Sequence, residues 1–176
     1  AGFCKAEPEL RKKQNYNPMN ILAFFFHTLK RNDYLLPVIT RDSSGLDDMQ
    51  KSFLAMLVAY SDRADKDKLI ESLGSKTFED YKRNKDKPNP FVVEKITHPV
   101  QEDILWSRFF ATGEFEPVLM LAEEAARLTD KDNLTPKDVK GKTTLTDDEK
   151  ARLMKGIRAY AAFWSLDQNG RKHRLV

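Results

Sequence analysis

With 176 residues, 40% of them hydrophobic and 32% charged, the chain has the length and composition of one globular domain, which excludes a disordered chain and a disulfide scaffold. Thirty basic and 27 acidic residues give a formal net charge of +3, too small a bias to indicate a nucleic-acid partner. The longest apolar run, Ile21 to Phe26, is far shorter than the roughly 20 residues that cross a bilayer, so we predict no membrane span.

The N-terminal segment 1–17 is polar and charged, and we expect it to be flexible. It contains the only cysteine, Cys4, which has no intrachain disulfide partner and which we interpret as an incidental free thiol. The sequence begins at Ala1 without Met. Removal of a signal peptide, and therefore export, is one expectation from that start, and a cytoplasmic protein is the alternative.

Two helices are predicted next, joined by the polar residues 30–33. The first covers residues 18–30, because Pro18 suits a first helical position and large apolar residues follow at helical spacing. The second begins near Tyr34 and has Pro37 in its opening turn. Together they form a predicted helical hairpin.

A second hairpin is predicted after the turn at residues 41–45. Its first helix contains apolar residues from Leu46 to Tyr60 with a period close to 3.6, and two aspartates in its first turn favour the helix dipole. A shorter helix follows and stops at Gly74. Residues 82–99 are then predicted to be a long exposed connection, in which the strand-like segment 91–96 lies extended against the helices.

A third hairpin is predicted between Pro99 and Arg127, with its turn at Gly113. The last long helix follows a polar connection and begins at Thr146, which forms a capping box with Glu149. This helix is predicted to end before Asn169, and we expect residues 167–176 to be flexible. Its predicted buried stripe consists of Met154, Ile157, Tyr160, Ala161 and Trp164.

These elements predict an all-α chain that forms a single domain over residues 1–176. Its expected architecture is an irregular stack of antiparallel helical hairpins, either α-solenoid-like or an orthogonal bundle, with a C-terminal capping helix. The segment 110–116 and the alanine-rich residues 121–126 resemble the turn and second helix of a tetratricopeptide repeat, mainly within residues 104–128. That resemblance implies stacked hairpins, although no 34-residue period runs through the chain.

Few residues suggest catalysis. The three histidines, His27, His98 and His173, lack the spacing of metal ligands, and the sequence has no glycine-rich phosphate loop and no nucleophile elbow. We therefore expect no cofactor and no metal, and we favour binding over enzymatic activity. Glu114 and Glu116 are the only pair of carboxylates that we consider for acid-base chemistry, and early in a helix such residues also stabilise the helix dipole.

Aromatic residues carry the preferred functional hypothesis, which is a non-enzymatic helical protein that binds another protein, or a second copy, through a groove or an aromatic patch. Three consecutive phenylalanines cover nearly the whole circumference of the first helix, so one of them is expected to be exposed. A small-molecule or lipid-binding bundle is the alternative, and a carboxylate-dependent enzyme is the second alternative. The candidate partner-binding residues are Phe24, Phe25, Phe26, His27, Arg31, Tyr34 and Trp106.

Overall fold

The computed structural model describes residues 18–173, and within that range the chain is all-α, with eight α-helices, three short 3-10 helices and no strand. The predicted fold class is therefore confirmed. Contacts along the chain divide it into two compact units, one ending at Phe91 and the other beginning at Val92. The expectations for residues 1–17, including Cys4, lie outside the described part, and the single-domain interpretation stays a prediction.

Unit 1 contains five α-helices and two 3-10 helices. Its third helix, Asp48–Ala59, begins with a capping box in which the Asp47 carboxylate accepts a 2.8 Å hydrogen bond from the Gln50 backbone N–H. This satisfies an N–H group that has no partner within the helix itself. The helices are α1 Pro18–Arg31, α2 Leu36–Arg41, α3 Asp48–Ala59, α4 Lys66–Glu71 and α5 Ser75–Asn84, and the 3-10 helices are Asp33–Leu35 and Ser43–Gly45.

The core of unit 1 forms where α1 and α3 pack against each other. The rings of Phe26 and Phe91 stack with their centroids 5.0 Å apart, and both side chains are almost fully buried. Phe91, Val93 and Ile96 are buried, so the connection predicted to be exposed over residues 82–99 is inaccessible at these positions.

Helix α5 extends past residue 82, into the segment that was predicted to be an exposed connection. It has ten residues and extends to Asn84, although Phe78 and Tyr81 are its only large apolar side chains. Their rings stack with centroids 6.1 Å apart. Two apolar residues produce too weak a periodicity to predict a helix from the sequence, and packing against α3 and α4 supplies the missing stabilisation.

Unit 2 contains the predicted third hairpin and the long C-terminal helix. Its α-helices are α6 Val100–Thr112, α7 Glu116–Ala126 and α8 Asp147–Lys172. Gly113 ends α6 with a φ of 69°, a left-handed conformation that glycine adopts at little cost. Helix α7 packs against both α6 and α8. At the start of α8, Thr146 and Glu149 form the predicted capping box.

The buried face of α8 differs from the predicted one. Ala159 and Ala162 are fully buried, whereas Tyr160 and Trp164, both predicted to be buried, are exposed. Helix α8 packs against α7, and small alanine side chains on a buried face permit such close packing. The predicted end of the helix is also wrong, because α8 continues through Asn169 and Gly170 to Lys172.

Gly156 lies where the connection between α7 and α8 crosses the last helix. The Leu134 backbone N–H donates a 3.4 Å hydrogen bond to the Arg152 carbonyl oxygen. A Cβ atom added at Gly156 would lie 2.6 Å from the Leu134 carbonyl oxygen, which is a backbone atom that no rotamer change can move. The glycine is therefore required for close approach, although glycine is a poor helix former.

We expect Gly156→Ala to destabilise unit 2 by about 1–3 kcal/mol, because the steric clash outweighs the better helix propensity of alanine. Both tryptophans, Trp106 and Trp164, lie in unit 2, so urea unfolding followed by tryptophan fluorescence measures the effect. Gly170→Ala is the matched control, since Gly170 is an exposed helical residue of α8 and its replacement should be neutral or stabilising. Equal midpoints for the two variants would contradict the role of Gly156.

Candidate functional site

The structure separates the seven predicted partner-binding residues into buried and exposed groups. Phe26, His27 and Trp106 are buried, so their side chains are inaccessible to a partner. Tyr34 is 66% exposed and Phe24 is 37% exposed. Arg31 is exposed and Phe25 is partly exposed, so four of the seven residues are available at the surface.

His27 contributes to the packing of unit 1 and not to its surface. Its Nε2 atom lies 3.1 Å from the carbonyl oxygen of Phe91, and its ring meets Phe26 edge-on with centroids 5.1 Å apart. With Nε2 protonated, the imidazole donates to that carbonyl and connects α1 to the end of unit 1. The hydrogen bond satisfies a buried backbone acceptor.

Phe25 lines an apolar groove between α1, α2 and α3, with a volume of about 260 Å³. Val38 also lines this groove and is 46% exposed. The walls are almost entirely aliphatic or aromatic, with Asp42 and Gln50 as the polar members. Of the predicted aromatic residues, Phe25 therefore lies in the concave surface.

A second aromatic surface lies on α8 and was missed by the sequence analysis. Tyr160, Phe163 and Trp164 are 61%, 52% and 57% exposed. Residues spaced by three and four positions lie on one face of a helix, so the three rings form a continuous strip, which we call the α8 aromatic stripe. Ala159 and Ala162 were the sequence signal that could have predicted this stripe. Two alanines three residues apart indicate a buried face suited to close packing, which leaves the aromatic residues on the other side of the helix.

Helix α8 carries charge of both signs around the stripe. It has six basic residues and four acidic ones, of which Asp147, Asp148 and Glu149 lie in its first turn. Upstream of the stripe, Lys155 pairs with Asp130 at 2.8 Å and Arg158 pairs with Glu124 at 3.0 Å. Downstream, Lys172 has no ion pair within the described residues. The uncompensated positive charge therefore lies at the C-terminal end of the stripe.

Unit 2 also contains a buried acidic cluster. Glu102 on α6 and Glu124 on α7 are each only 4% exposed. Arg158 on α8 donates a 3.0 Å hydrogen bond to Glu124 Oε1. Arg127 contacts the other oxygen of Glu124 at 3.1 Å. Within the described residues, Glu102 Oε1 has no hydrogen-bond partner.

Burial raises the pKa of Glu102 to about 8, and repulsion from Asp103 and Glu124 contributes in the same direction, against the opposing attraction of Arg158. A buried carboxyl group without a hydrogen-bond partner is more stable protonated than charged. Sequence reasoning missed this group because an acidic residue in the first turn of a helix normally has a capping or dipole role.

The carboxylates considered for acid-base chemistry have a common partner. Arg108 donates from Nε to Glu114 at 2.9 Å, and its Nη2 also contacts Glu116. One guanidinium therefore bridges both carboxylates across the turn between α6 and α7. This arrangement stabilises the hairpin turn by charge-assisted hydrogen bonds.

Within residues 18–173, no cluster of three or more His, Cys, Asp or Glu side chains could hold a metal ion. None of the helices in that range combines the length and the apolar character that crossing a membrane requires. Comparison of the chain with protein-family models, with curated proteins and with solved structures gave no match. The function of the surfaces described above must therefore be inferred from their own geometry.

Proposed function

We propose that this chain is a helical protein-interaction module whose contact surface is the α8 aromatic stripe. The observation that carries the proposal is the exposure of Tyr160, Phe163 and Trp164 by more than half on one helix face. Tryptophan and tyrosine are enriched among the residues that contribute most to protein interfaces. Exposed contiguous apolar patches of this kind mark interaction sites more often than isolated exposed side chains do.

The size of the stripe fits the centre of an interface. An aromatic side chain has about 150–250 Å² of surface, so three that are about half exposed present on the order of 300 Å². A standard interface buries about 800 Å² on each partner. The stripe therefore supplies the apolar centre, and neighbouring polar residues of α8 supply the rim.

The partner that fits this surface is an amphipathic helix with acidic residues beside its apolar face. A single helix presents a convex ridge, against which another helix packs its own apolar side chains. Lys172 follows the stripe and is exposed, while its neighbour Arg171 is paired with Asp167. The positive charge of Lys172 favours a partner with a carboxylate at the corresponding end.

Two synthetic amphipathic helices with the same leucine face test this proposal, one with glutamates on its flanks and one with lysines in their place. We expect only the acidic peptide to bind and to shift the emission of Trp164 to shorter wavelengths, because docking removes the indole from water. The affinity should fall with rising salt concentration. Combining Tyr160→Ser with Phe163→Ser should weaken binding by at least about tenfold.

Trp164→Phe is the matched control, because it keeps an apolar ring in the stripe but removes the fluorescence of Trp164. Loss of the emission shift in this variant would show that the shift comes from Trp164. Phe24→Ser, on the exposed surface of unit 1, should leave binding unchanged. Equal binding of both peptides would contradict the proposal. Sedimentation of the chain as a dimer with Trp164 buried would contradict it as well, and so would a preference for anionic lipid vesicles over the acidic peptide.

A further inference from the structure

Helix α6 carries two buried polar atoms on one face. Glu102 and Trp106 are four residues apart in this helix, and only 4% and 5% of their surfaces are exposed. Glu102 Oε1 and Trp106 Nε1 both lie in the interior without a hydrogen-bond partner among the described residues. Residues at this spacing are neighbours on a helix surface. Because buried polar atoms without a partner are rare, two at neighbouring positions indicate a shared partner.

The contacts of the indole show on which side its N–H group meets an acceptor. Phe110 stacks on the Trp106 ring with centroids 5.8 Å apart, and Phe109 meets it edge-on at 5.8 Å. Neither phenylalanine side chain has an oxygen atom. Long side chains of a helix point back toward its N-terminus, over the residue four positions earlier. The indole therefore extends from Trp106 toward Glu102, where a carboxyl oxygen is available.

One water molecule matches the chemistry and the separation of these two side chains. The indole N–H only donates a hydrogen bond, and a carboxyl oxygen accepts one. Water accepts from an N–H at about 2.9 Å and donates to an oxygen at about 2.8 Å, so it bridges atoms up to about 5.7 Å apart. The Cβ atoms of residues four positions apart on a helix are separated by about 5–6 Å. The two atoms form no direct hydrogen bond with each other.

A third hydrogen-bonding group lies beside this pair. Buried waters typically make about three hydrogen bonds. Glu124 is close enough to Glu102 for its negative charge to contribute to the raised pKa of the Glu102 carboxyl group. Its two oxygens contact one arginine each, Arg158 and Arg127, and each oxygen retains a lone pair for a further bond. Glu124 therefore offers an acceptor for the second proton of the water.

We propose that a single buried water molecule binds in unit 2 between the Glu102 carboxyl group and the Trp106 indole, with Glu124 as its third partner. This water satisfies both unpartnered atoms and links α6 to α7 through hydrogen bonds. A water with three buried partners is costly to remove, so it exchanges with solvent more slowly than surface water. The site uses none of the residues of the α8 aromatic stripe, so it is independent of the proposed protein interaction.

Nuclear magnetic resonance of the isotope-labelled full chain tests the site at the two indole N–H groups. We expect the Trp106 N–H proton to show a rotating-frame Overhauser cross-peak to water with the sign of direct dipolar contact. Trp164, the other tryptophan, is exposed and should show only the opposite sign, which arises from exchange with solvent. The Trp164→Phe variant assigns the two signals. Absence of a dipolar cross-peak at Trp106 would overturn the proposal.

Variants at position 102 test whether Glu102 holds the water. Glu102→Gln keeps an acceptor oxygen and removes the exchanging carboxyl proton, so the cross-peak should persist. Its loss would assign the signal to that proton and refute the site. Glu102→Met has no side-chain oxygen and should lose the cross-peak, whereas Glu123→Met, at an exposed position of α7, should retain it. A cross-peak that persists in Glu102→Met would also refute the site.

Magnetic relaxation dispersion of the water oxygen nucleus provides a second measurement, because it counts long-lived waters directly. Trp106→Phe keeps an aromatic ring beside Phe109 and Phe110 but removes the N–H donor. This variant should hold one long-lived water fewer than the original chain, while circular dichroism confirms that its helices are retained. An equal number of long-lived waters in the two proteins would contradict the proposal, even if Glu102→Met does not fold.

Discussion

Replacing Arg158 by methionine is expected to destabilise unit 2 by about 3 kcal/mol, because it removes one partner of a buried ion pair. The Arg158 side chain is only 16% exposed and contacts Glu124 at 3.0 Å. It also donates to the Thr97 carbonyl oxygen at 3.3 Å. Methionine fills a similar volume but leaves two buried carboxyl groups, Glu102 and Glu124, without its positive charge. Arg127 still contacts Glu124, and this remaining ion pair limits the loss of stability.

Arg171→Met is the matched control for this prediction, because Arg171 is also an α8 arginine paired with an aspartate, Asp167, at 2.9 Å. That pair is largely exposed, so its loss should cost less than about 1 kcal/mol. Adding Glu124→Gln to Arg158→Met should recover part of the stability, since it removes one of the two acidic groups. Equal urea midpoints for the two arginine variants, measured by tryptophan fluorescence, would show that the buried pair contributes little.

The second large effect is a change in how stability depends on pH in the variant Glu102→Gln. The folded-state pKa of Glu102 is about 8, raised from 4.5 by burial. Between these values the folded chain binds more protons than the unfolded chain, so the free energy of unfolding falls as pH rises from about 4.5 to about 8. Because glutamine stays neutral, the Glu102→Gln variant does not lose this free energy of unfolding as pH rises.

We expect the variant to be similar in stability to the original chain near pH 4.5 and more stable by up to about 5 kcal/mol near pH 9. Urea unfolding at several pH values measures the difference between the two proteins, which isolates Glu102 from other titrating groups. Glu123→Gln, at an exposed position of α7, should give a difference within about 0.5 kcal/mol throughout. A constant difference for Glu102→Gln from pH 5 to pH 9 would mean that its carboxyl group titrates normally.

Several local features could be predicted from the sequence because their causes lie within a few residues. The capping box of α8 needs only Thr146 and Glu149, and the end of α6 needs only a glycine at position 113. Periodicity similarly predicts α1 and α3. The short-range chemistry of caps and turns is the same in any fold that contains them.

The candidate surfaces were predicted less well. The aromatic residues of α1 include one, Phe25, that lines a groove, but the stripe on α8 was predicted to be partly buried. Helical periodicity places Tyr160 and Trp164 on one face without specifying what that face contacts. The connection between α7 and α8 crosses the helix at Gly156, a contact that joins residues far apart in the sequence.

The sequence by itself therefore determined the fold class, the end of α6 at Gly113 and the start of α8 at Thr146. It also established that the net charge is too small to favour nucleic acid. Only the tertiary structure decided that alanines, and not aromatic rings, form the buried face of α8, and that Glu102 lies in the interior next to Glu124. The physical reason is that exposure and pKa depend on neighbours brought together by packing. The exposed α8 aromatic stripe, on which the proposed function rests, is a product of that packing.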